Sequence, residues 1–407
     1  MSKQINKING PFNLVRMEGY VNNIHKVIYL FMDKHVDIDK QTDCNDPDNS
    51  INITEYLKKN FINIGSGNKT YDFFLETFPH ILAYKPNELL HLSEPDFQRT
   101  YIENLWKFFY ENIVFDPKSN KLSSLFKNVR LHYIDIRDVL YPVLLQTLEF
   151  AKINLKENHE YVPDMINTAL KIILEFMIRI EEMLRTNNND SLKKKQTISK
   201  LEYGNYGDFL QKPEILNEYL EHILYLINKL LNNFKHDNIK KLINDYVEYY
   251  LLFVWQKYIH DLSALYNKIK YLTPKDYQNQ KFKDYLEKKL NKFQNKIRSY
   301  ISNMVDLYFL RRFLDKDYIT NAIVYTGAAH SVIYIYILHS IGFKITHCAN
   351  CNIKDINELN MAVSKIKNFP FDNSIFDLLE LFIKPNMNQY QYQYQCIDIS
   401  NFPKNFI

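Results

Sequence analysis

The sequence lacks long apolar runs. It has no stretch of about 18 uninterrupted apolar residues, so no segment is a candidate for a membrane-spanning helix. The first residues, Met-Ser-Lys-Gln-Ile-Asn-Lys, also lack the apolar core of a signal peptide. These two absences predict a soluble protein that stays inside the cell.

Cysteine is scarce as well, with four in 407 residues. Four cysteines in an intracellular chain do not form a disulfide framework. Cys348 and Cys351 have the C-x-x-C spacing, but a zinc site would need two more ligands. The soft candidates for these ligands are Cys44, Cys396 and His347. We expect ordinary reduced thiols instead.

Neither sign of charge dominates the chain. Its 51 basic and 47 acidic residues give a net charge of +4 and are mixed along most of the sequence. This balance gives no strong electrostatic footprint for nucleic acid. The one tight basic run, Lys193–Lys195, lies among polar residues and is interpreted as a solvated loop.

Apolar and aromatic residues are plentiful by contrast. Hydrophobic residues make up 46% of the chain and aromatic residues 15%, with 31 Tyr and 27 Phe. Such a composition is typical of a folded protein and not of a disordered one. Because 407 residues exceed the usual size of one domain, we expect one large domain with an insertion, or two domains.

Strand and helix patterns alternate in the first third of the chain. Long helical periodicities then follow one another, and strand patterns return at Ala322. The sequence therefore predicts an α/β (α+β) fold with a mixed central sheet flanked by helices. Residues 1–138 and 316–407 are predicted to form this core, and residues 139–315 a large all-helical insertion. Residues 14–18, 19–23 and 26–31 are predicted to form a β-hairpin that leads into the first core strand. Further strands are predicted at residues 71–76, 129–135, 322–325 and 343–347.

Two further patterns allow more than one interpretation. Residues 389–395 alternate glutamine with tyrosine, which suits an edge strand or an adhesive tail. A stripe at helical spacing contains Leu242, Tyr246, Tyr249 and Tyr250. It is either part of the core, which we favour, or a surface for a partner.

Ionisable side chains follow four of the predicted strands where each strand ends. They are Asp33, His35, Glu76, Asp135, Arg137 and His330. In open α/β sheets, ligands bind at the carboxyl ends of the strands, and Gly327 lets a ligand approach the backbone closely. A catalytic metal site takes about three imidazole or carboxylate ligands and keeps one open position. We therefore predict that His35, Glu76 and His330 hold a divalent ion, with Mn, Co and Zn as candidates.

Each of these residues also has a purely structural interpretation. A histidine after a strand is often a capping or surface residue, and Glu76 could be a solvated loop residue. Asp135 and Arg137 form either a structural ion pair or a place where the arginine holds an anionic group. The histidines without partner spacing, interpreted as structural, are His25, His80, His91, His132, His159, His222, His236, His260 and His339.

Three blocks carry the predicted ligands, namely Val27–His35, Tyr71–Glu76 and Thr326–His330. In this order they resemble motifs of the TraB/Tiki/GumN-like proteins and of the wider group with erythromycin esterase-like and ChaN-like proteins. The family motifs are a strand with Gly-x-x-His, a strand with an acidic end, and Gly-Ala-Gly-His at the start of a helix. The set, with the segment His132–Asp138, also resembles uncharacterised proteins of large DNA viruses.

The resemblance implies a mixed sheet with a helical insertion. In Tiki-type members it also implies metal-dependent peptide hydrolysis through the two histidines and the glutamate. Arg137 is similar to a family arginine that follows the mid-chain strand. Two positions depart from the family, since Met32 and Ala329 each stand where it has glycine. The bulky Met32 side chain is expected to narrow a substrate cleft beside His35.

Two functions from different classes follow. The first is a metal-dependent hydrolase of a peptide or ester bond. In it Asp33 orients His35 or acts as base, and Arg137, beside Asp135, stabilises the developing negative charge. The alternative is a catalytically inactive viral binding or virion-associated protein that retains the fold. Its partners would be further copies of the chain or virion proteins, in the host cytoplasm or in the virion.

Overall fold

The computed structural model describes residues 6–41, 43–77, 100–116, 121–137, 142–157, 160–186, 213–366, 374–382, 395–403 and 406. Contacts within the chain divide it into two compact units. The first, called the sheet unit, comprises Met1–Asp135 and Arg312–Ile407, and the second, the helical unit, comprises Ile136–Arg311. The basic run at Lys193–Lys195 and the tail residues 389–394 lie outside the described residues.

The described strands lie in the sheet unit. They are β1 (Lys7–Asn9), β2 (Asn13–Val21), β3 (Ile24–Asp33), β4 (Ser50–Asn52), β5 (Tyr71–Leu75), β6 (Ile113–Asp116), β7 (Lys121–Ser124), β8 (Val129–Tyr133), β9 (Asn321–Gly327), β10 (Lys344–Cys348) and β11 (Cys396–Asp398).

The described helices lie in both units. Those of the sheet unit are α1 (Ile53–Gly65), α2 (Tyr101–Glu111), α10 (Ala328–Ser340), α11 (Ile356–Lys365) and α12 (Ser374–Leu381). Those that begin in the helical unit are α3 (Thr147–Lys156), α4 (Val162–Thr186), α5 (Pro213–Asn232), α6 (Asp237–Tyr246), α7 (Phe253–Ile269), α8 (Pro274–Tyr277) and α9 (Gln280–Asp315). Among the described helices, none is both long and apolar enough to cross a bilayer.

The main sheet has the strand order β10-β2-β3-β9-β5-β8. Strands β3, β9, β5 and β8 run parallel, whereas β2 is antiparallel to its neighbours β3 and β10. A second sheet, β11-β1-β4, is also mixed, and β6 and β7 form a hairpin. The predicted α/β (α+β) fold with a mixed sheet flanked by helices is confirmed.

Both faces of the central strands are buried, which explains why these strands are almost continuously apolar. On one face, aromatic side chains of the sheet pack against α1 and α2. The ring of Phe73 in β5 lies 4.6 Å from that of Phe109 and 5.8 Å from that of Phe61, centroid to centroid. On the other face, α10 packs against β3 and β9. The two covered faces leave the ends of the strands as the places where polar side chains gather.

The four cysteines form two disulfides, Cys44–Cys396 and Cys348–Cys351. The expectation of reduced thiols was therefore wrong, and so was the exclusion of disulfides. Cys44 and Cys396 are 352 residues apart in sequence. Asn9 in β1 connects them, because it pairs with Cys396 in β11 and its side-chain oxygen accepts the backbone N–H of Cys44 at 2.7 Å. Because the two cysteines are so far apart in sequence, no local pattern indicated that they pair.

The helical unit has an aromatic core of its own. Trp255 stacks on Tyr300 with 4.1 Å between ring centroids, and its indole N–H donates to the carbonyl of Met177 at 2.8 Å. Tyr246, from the stripe of undecided role, is buried, whereas Leu242 is only half-buried. A π-helical turn over Val247–Leu252 links α6 to α7.

Candidate functional site

Three parallel strands end at one edge of the main sheet and carry the predicted ligands. β9 lies between β3 and β5, with Asp33 opposite Gly327. His35 follows β3, Glu76 follows β5, and His330 lies in the first turn of α10, directly after β9. Because the carboxyl ends of parallel strands share an edge, residues from both ends of the chain meet there.

Asp33 holds His35 through both its backbone and its ring. Oδ2 of Asp33 accepts the backbone N–H of His35 at 3.0 Å and lies 2.8 Å from its Nδ1. His35 has a positive φ of 53°, a left-handed conformation that is uncommon outside glycine. The other oxygen of Asp33 accepts the hydroxyl of Tyr325 at 3.3 Å. The positive φ of His35 and its two contacts with Asp33 together fix the position of the imidazole.

Glu76 lies between the two predicted histidine ligands. Its Oε1 is 3.2 Å from Nε2 of His330, and its Oε2 is 3.5 Å from Nε2 of His35. The backbone N–H of Gly327 also donates to Oε2, at 2.7 Å. The side chains of Glu76 and His330 are 2% and 7% exposed, whereas that of His35 is 40% exposed. His35 is therefore the member of this group that faces solvent.

The charges of the group stabilise one another. Burial by itself raises the pKa of the Glu76 carboxyl, but the charges and hydrogen bonds of His330 and then of His35 hold it well below its usual range. Burial lowers the pKa of His35, but hydrogen bonds to Asp33 and Glu76 outweigh burial and raise this pKa from 6.5 to about 10. At neutral pH His35 is therefore an imidazolium that donates to two carboxylates.

The last residue of β9, Gly327, gives the ring of His35 its room. A Cβ on Gly327 would lie 2.8 Å from Nε2 of His35 and 3.4 Å from Oε2 of Glu76, so only glycine fits without displacing the ring. The hydroxyls of Thr326 and Ser331 are 2.8 Å apart, which ties the end of β9 to the first turn of α10. Gly327 thus has a specific steric role.

The remaining predicted residues lie at different places. Asp135 is buried, and its backbone N–H donates to the carbonyl of Thr77 at 3.2 Å, one residue past Glu76. Arg137 is half-buried and belongs to the helical unit, so its catalytic role stays a prediction from the sequence. Met32 is 0% exposed, and its bulk lies inside the fold.

Two residues around Asp33 escaped the sequence reasoning. Tyr325 is fully buried, and its pKa is raised well above the usual value by burial and then by the Asp33 charge. Strand alternation offered a signal for it, since Tyr325 lies two residues before Gly327, the partner of Asp33. Gln395 has its amide nitrogen 2.7 Å from Oδ1 of Asp33 when oriented to donate. No local pattern pointed to Gln395, which comes from the far end of the chain.

The described residues include no group of three or more His, Cys, Asp or Glu side chains arranged around a common point for a metal ion. Instead, Asp33, His35, Glu76 and His330 form a hydrogen-bonded series of alternating carboxylates and imidazoles. Such a series can hold a proton on His35 and present it to solvent. Its donor atoms are also those that a divalent metal prefers.

Almost the whole chain matches a family model. The model of a family of unknown function, DUF5847, matches residues 6–407. The chain belongs to this family. No solved structure matches the chain.

Relatives of the chain come from a large DNA virus, Acanthamoeba polyphaga mimivirus. The chain is 32% identical to "Uncharacterized protein R160" over 448 aligned residues, which cover 100% of the chain and 99% of the relative. It is 30% identical to "Uncharacterized protein R706", with 98% and 96% covered, and 31% identical to "Uncharacterized protein R161", with 100% and 99% covered. The predicted resemblance to uncharacterised proteins of large DNA viruses is thus confirmed.

Proposed function

We propose that this protein is a metal-dependent hydrolase of the TraB/Tiki-like type, acting on a peptide or ester bond. His35, Glu76 and His330 would hold the ion. The observation that supports this function best is the convergence of two imidazole Nε2 atoms on the two oxygens of one buried carboxylate. The convergence occurs at the carboxyl edge of a parallel sheet, where ligands of such folds bind.

The two Nε2 atoms are hydrogen-bonded to Glu76, so an ion would bind here by displacing the protons of these two nitrogens. Two ligands at about 2.1 Å from one tetrahedral ion are about 3.4 Å apart. The distances from the two Nε2 atoms to Glu76 are of similar size, but they run to different oxygens, 3.2 Å to Oε1 and 3.5 Å to Oε2. The Nδ1 contact from His35 to Asp33 is also the arrangement by which a carboxylate commonly orients a metal-binding imidazole.

The side chains have distinct roles in this proposal. A divalent ion bound here would polarise a carbonyl and lower the pKa of water. Asp33 fixes the ring of His35 so that Nε2 faces Glu76, and Gly327 holds Glu76 through its N–H. Substrate approaches from the side of His35, because the side chains of Glu76 and His330 are almost fully buried.

Metal content tests the proposal. The protein would be purified without chelator, reconstituted with Mn²⁺, Co²⁺ or Zn²⁺, and measured by inductively coupled plasma mass spectrometry. We expect near-stoichiometric metal in the native protein and its loss in a His35→Ala, His330→Ala double variant. A panel of peptides and esters would then be screened for hydrolysis that needs the same metal.

A matched control separates the site from histidine loss in general. His25 lies at the start of β3, the strand that leads to His35. It is exposed and lies at the opposite end of this strand from the candidate site. The His25→Ala variant should keep its metal. If no variant and no native protein binds metal after reconstitution, the hydrolase proposal fails. A binding or virion-associated role would then be the better account.

A further inference from the structure

The net positive charge of the helical unit is concentrated in one segment. From Tyr266 to Lys296 there are nine lysines and three carboxylates, a net charge of +6. Since the whole chain carries +4, all its other residues together carry −2. The even balance of the complete sequence therefore conceals a strongly basic region.

Most of this charge lies on one face of α9. Residues three and four apart share a face of a helix, and six residues of α9 lie within an arc of about 100° around the helix axis. This set, called the basic stripe, consists of Lys281, Tyr285, Lys288, Lys289, Lys292 and Lys296. The face turned away from the stripe is buried through Leu286, Leu290, Phe293 and Ile297.

The lysines of the basic stripe are largely available for a partner. Lys281, Lys288, Lys289 and Lys292 are exposed, and among the described residues none of them has a carboxylate within ion-pair distance. Lys296 differs, since it pairs with Asp261 at 2.9 Å. Four ammonium groups therefore face solvent along one helix without local neutralisation.

Exposed tyrosines accompany these lysines. The ring of Tyr285 has Nζ of Lys268 at 4.3 Å and Nζ of Lys289 at 5.6 Å from its centroid. Tyr271 is 82% exposed and has Nζ of Lys270 at 4.8 Å from its centroid. Aromatic rings beside cations form the surface on which single-stranded nucleic acids stack their bases and place their phosphates.

We propose that the basic stripe, with Tyr271, binds single-stranded nucleic acid. Lysines contact phosphates, and the tyrosine rings stack on bases. The segment from Lys281 to Lys296 is about 22 Å long, enough for several nucleotides. An anionic membrane is a weaker candidate, because the exposed face of α9 has lysines and a tyrosine but no row of aliphatic side chains to insert into lipid.

Fluorescence anisotropy with a labelled 20-nucleotide oligothymidylate tests this inference on the full chain. With four lysines engaged, the logarithm of the binding constant should fall with the logarithm of salt concentration with a slope of about −3. A variant with Lys281, Lys288, Lys289 and Lys292 changed to Glu should bind at least about tenfold more weakly. Changing Tyr271 and Tyr285 to Ala should reduce the preference for the single strand over a duplex of equal length.

The control changes the same charge elsewhere. Four other lysines are also exposed, namely Lys58, Lys59, Lys171 and Lys241. Their replacement by Glu changes only the screened long-range attraction, so the affinity for the oligonucleotide should stay within about twofold of the native value. Equal losses in both quadruple variants would overturn the proposal, as would absence of binding at low salt. Binding to phosphatidylserine vesicles without binding to the oligonucleotide would overturn it in favour of a membrane surface.

Discussion

Gly327 lies so close to His35 that a Cβ built on the glycine would be 2.8 Å from Nε2 of the imidazole. The backbone of Gly327 does not itself require glycine, because its φ of −57° and ψ of 149° suit any residue. The glycine is therefore needed for space. This separates the geometry of the site from the conformation of the chain that carries it.

Replacing Gly327 with Ala should damage the site and spare the fold. The added methyl group pushes the His35 ring away from Glu76, while the strand end keeps its conformation. We expect the free energy of unfolding to fall by about 1–3 kcal/mol, which is typical of overpacking. Metal affinity should fall about 10–100-fold, as after the loss of an orienting contact. Calorimetric metal titration and denaturant unfolding measure the two effects.

Gly65→Ala is the matched control for this variant. A Cβ at Gly65 would meet its nearest neighbour, the carbonyl of Lys127, at an ordinary 3.5 Å. Its metal affinity should equal that of the native protein. If Gly327→Ala also keeps native metal affinity, Gly327 does not position the ring of His35.

The disulfide Cys44–Cys396 should stabilise the sheet unit far more than Cys348–Cys351. The first closes a sequence separation of 352 residues and the second a separation of only 3. If loop closure determines the stabilisation, removal of Cys44–Cys396 should lower the free energy of unfolding by up to about 5 kcal/mol, and removal of Cys348–Cys351 by about 2 kcal/mol. Urea unfolding of the two Cys→Ser double variants measures the difference. Equal losses would show that loop closure does not determine the stabilisation.

The central strands could be predicted because their residues carry the signal locally. Residues such as Val27 to Phe31 and Ala322 to Tyr325 are almost continuously apolar, as both faces of the main sheet are covered. The three-residue strands β1, β4 and β11 were not predicted, since they are short and contain polar residues. Tertiary pairing alone makes strands of such segments.

The candidate site was only partly predictable for a related reason. Strand ends could be found from the sequence, so His35, Glu76 and His330 could be assigned to one edge. The position of β9 between β3 and β5 could not be predicted. The helical unit separates β9 from β3 and β5 in sequence, and no local pattern records the order of the strands. The contacts of Tyr325 and Gln395 with Asp33 depend on that order.

Lys26→Met should destabilise the sheet unit strongly. Nζ of Lys26 is buried and donates to the carbonyls of Phe313, Lys316 and Ile319 at 2.9, 2.8 and 2.5 Å. Methionine keeps the length of the side chain but leaves three carbonyls without this donor, at a cost of about 2–4 kcal/mol. Urea unfolding measures the loss, and Lys344→Met, at an exposed position of β10, should change stability by less than about 0.5 kcal/mol. Equal effects of the two variants would contradict the role of Lys26.

His132 connects two charged groups in the sheet unit. Its Nε2 is 2.7 Å from Oδ1 of the buried Asp72, and its Nδ1 accepts the Nε–H of Arg312 at 3.2 Å. The ring is therefore neutral, with its proton on Nε2. Burial and the positive charge of Arg312 lower the pKa of His132 below 6.5, although Asp72 opposes them.

This pKa shift predicts a loss of stability in acid. The folded state binds a proton at His132 less readily than the unfolded state does. The contribution of His132 to the free energy of unfolding is therefore complete above pH 6.5, and it falls as the pH drops toward the pKa of His132 in the folded state. The slope from this one group is at most about 1.4 kcal/mol per pH unit. His132→Gln can still donate to Asp72 but does not titrate. The stability difference between the native protein and this variant, measured by urea unfolding, should therefore be larger at pH 7.5 than at pH 5. Parallel pH profiles of the two proteins would show that His132 does not resist protonation in the folded state.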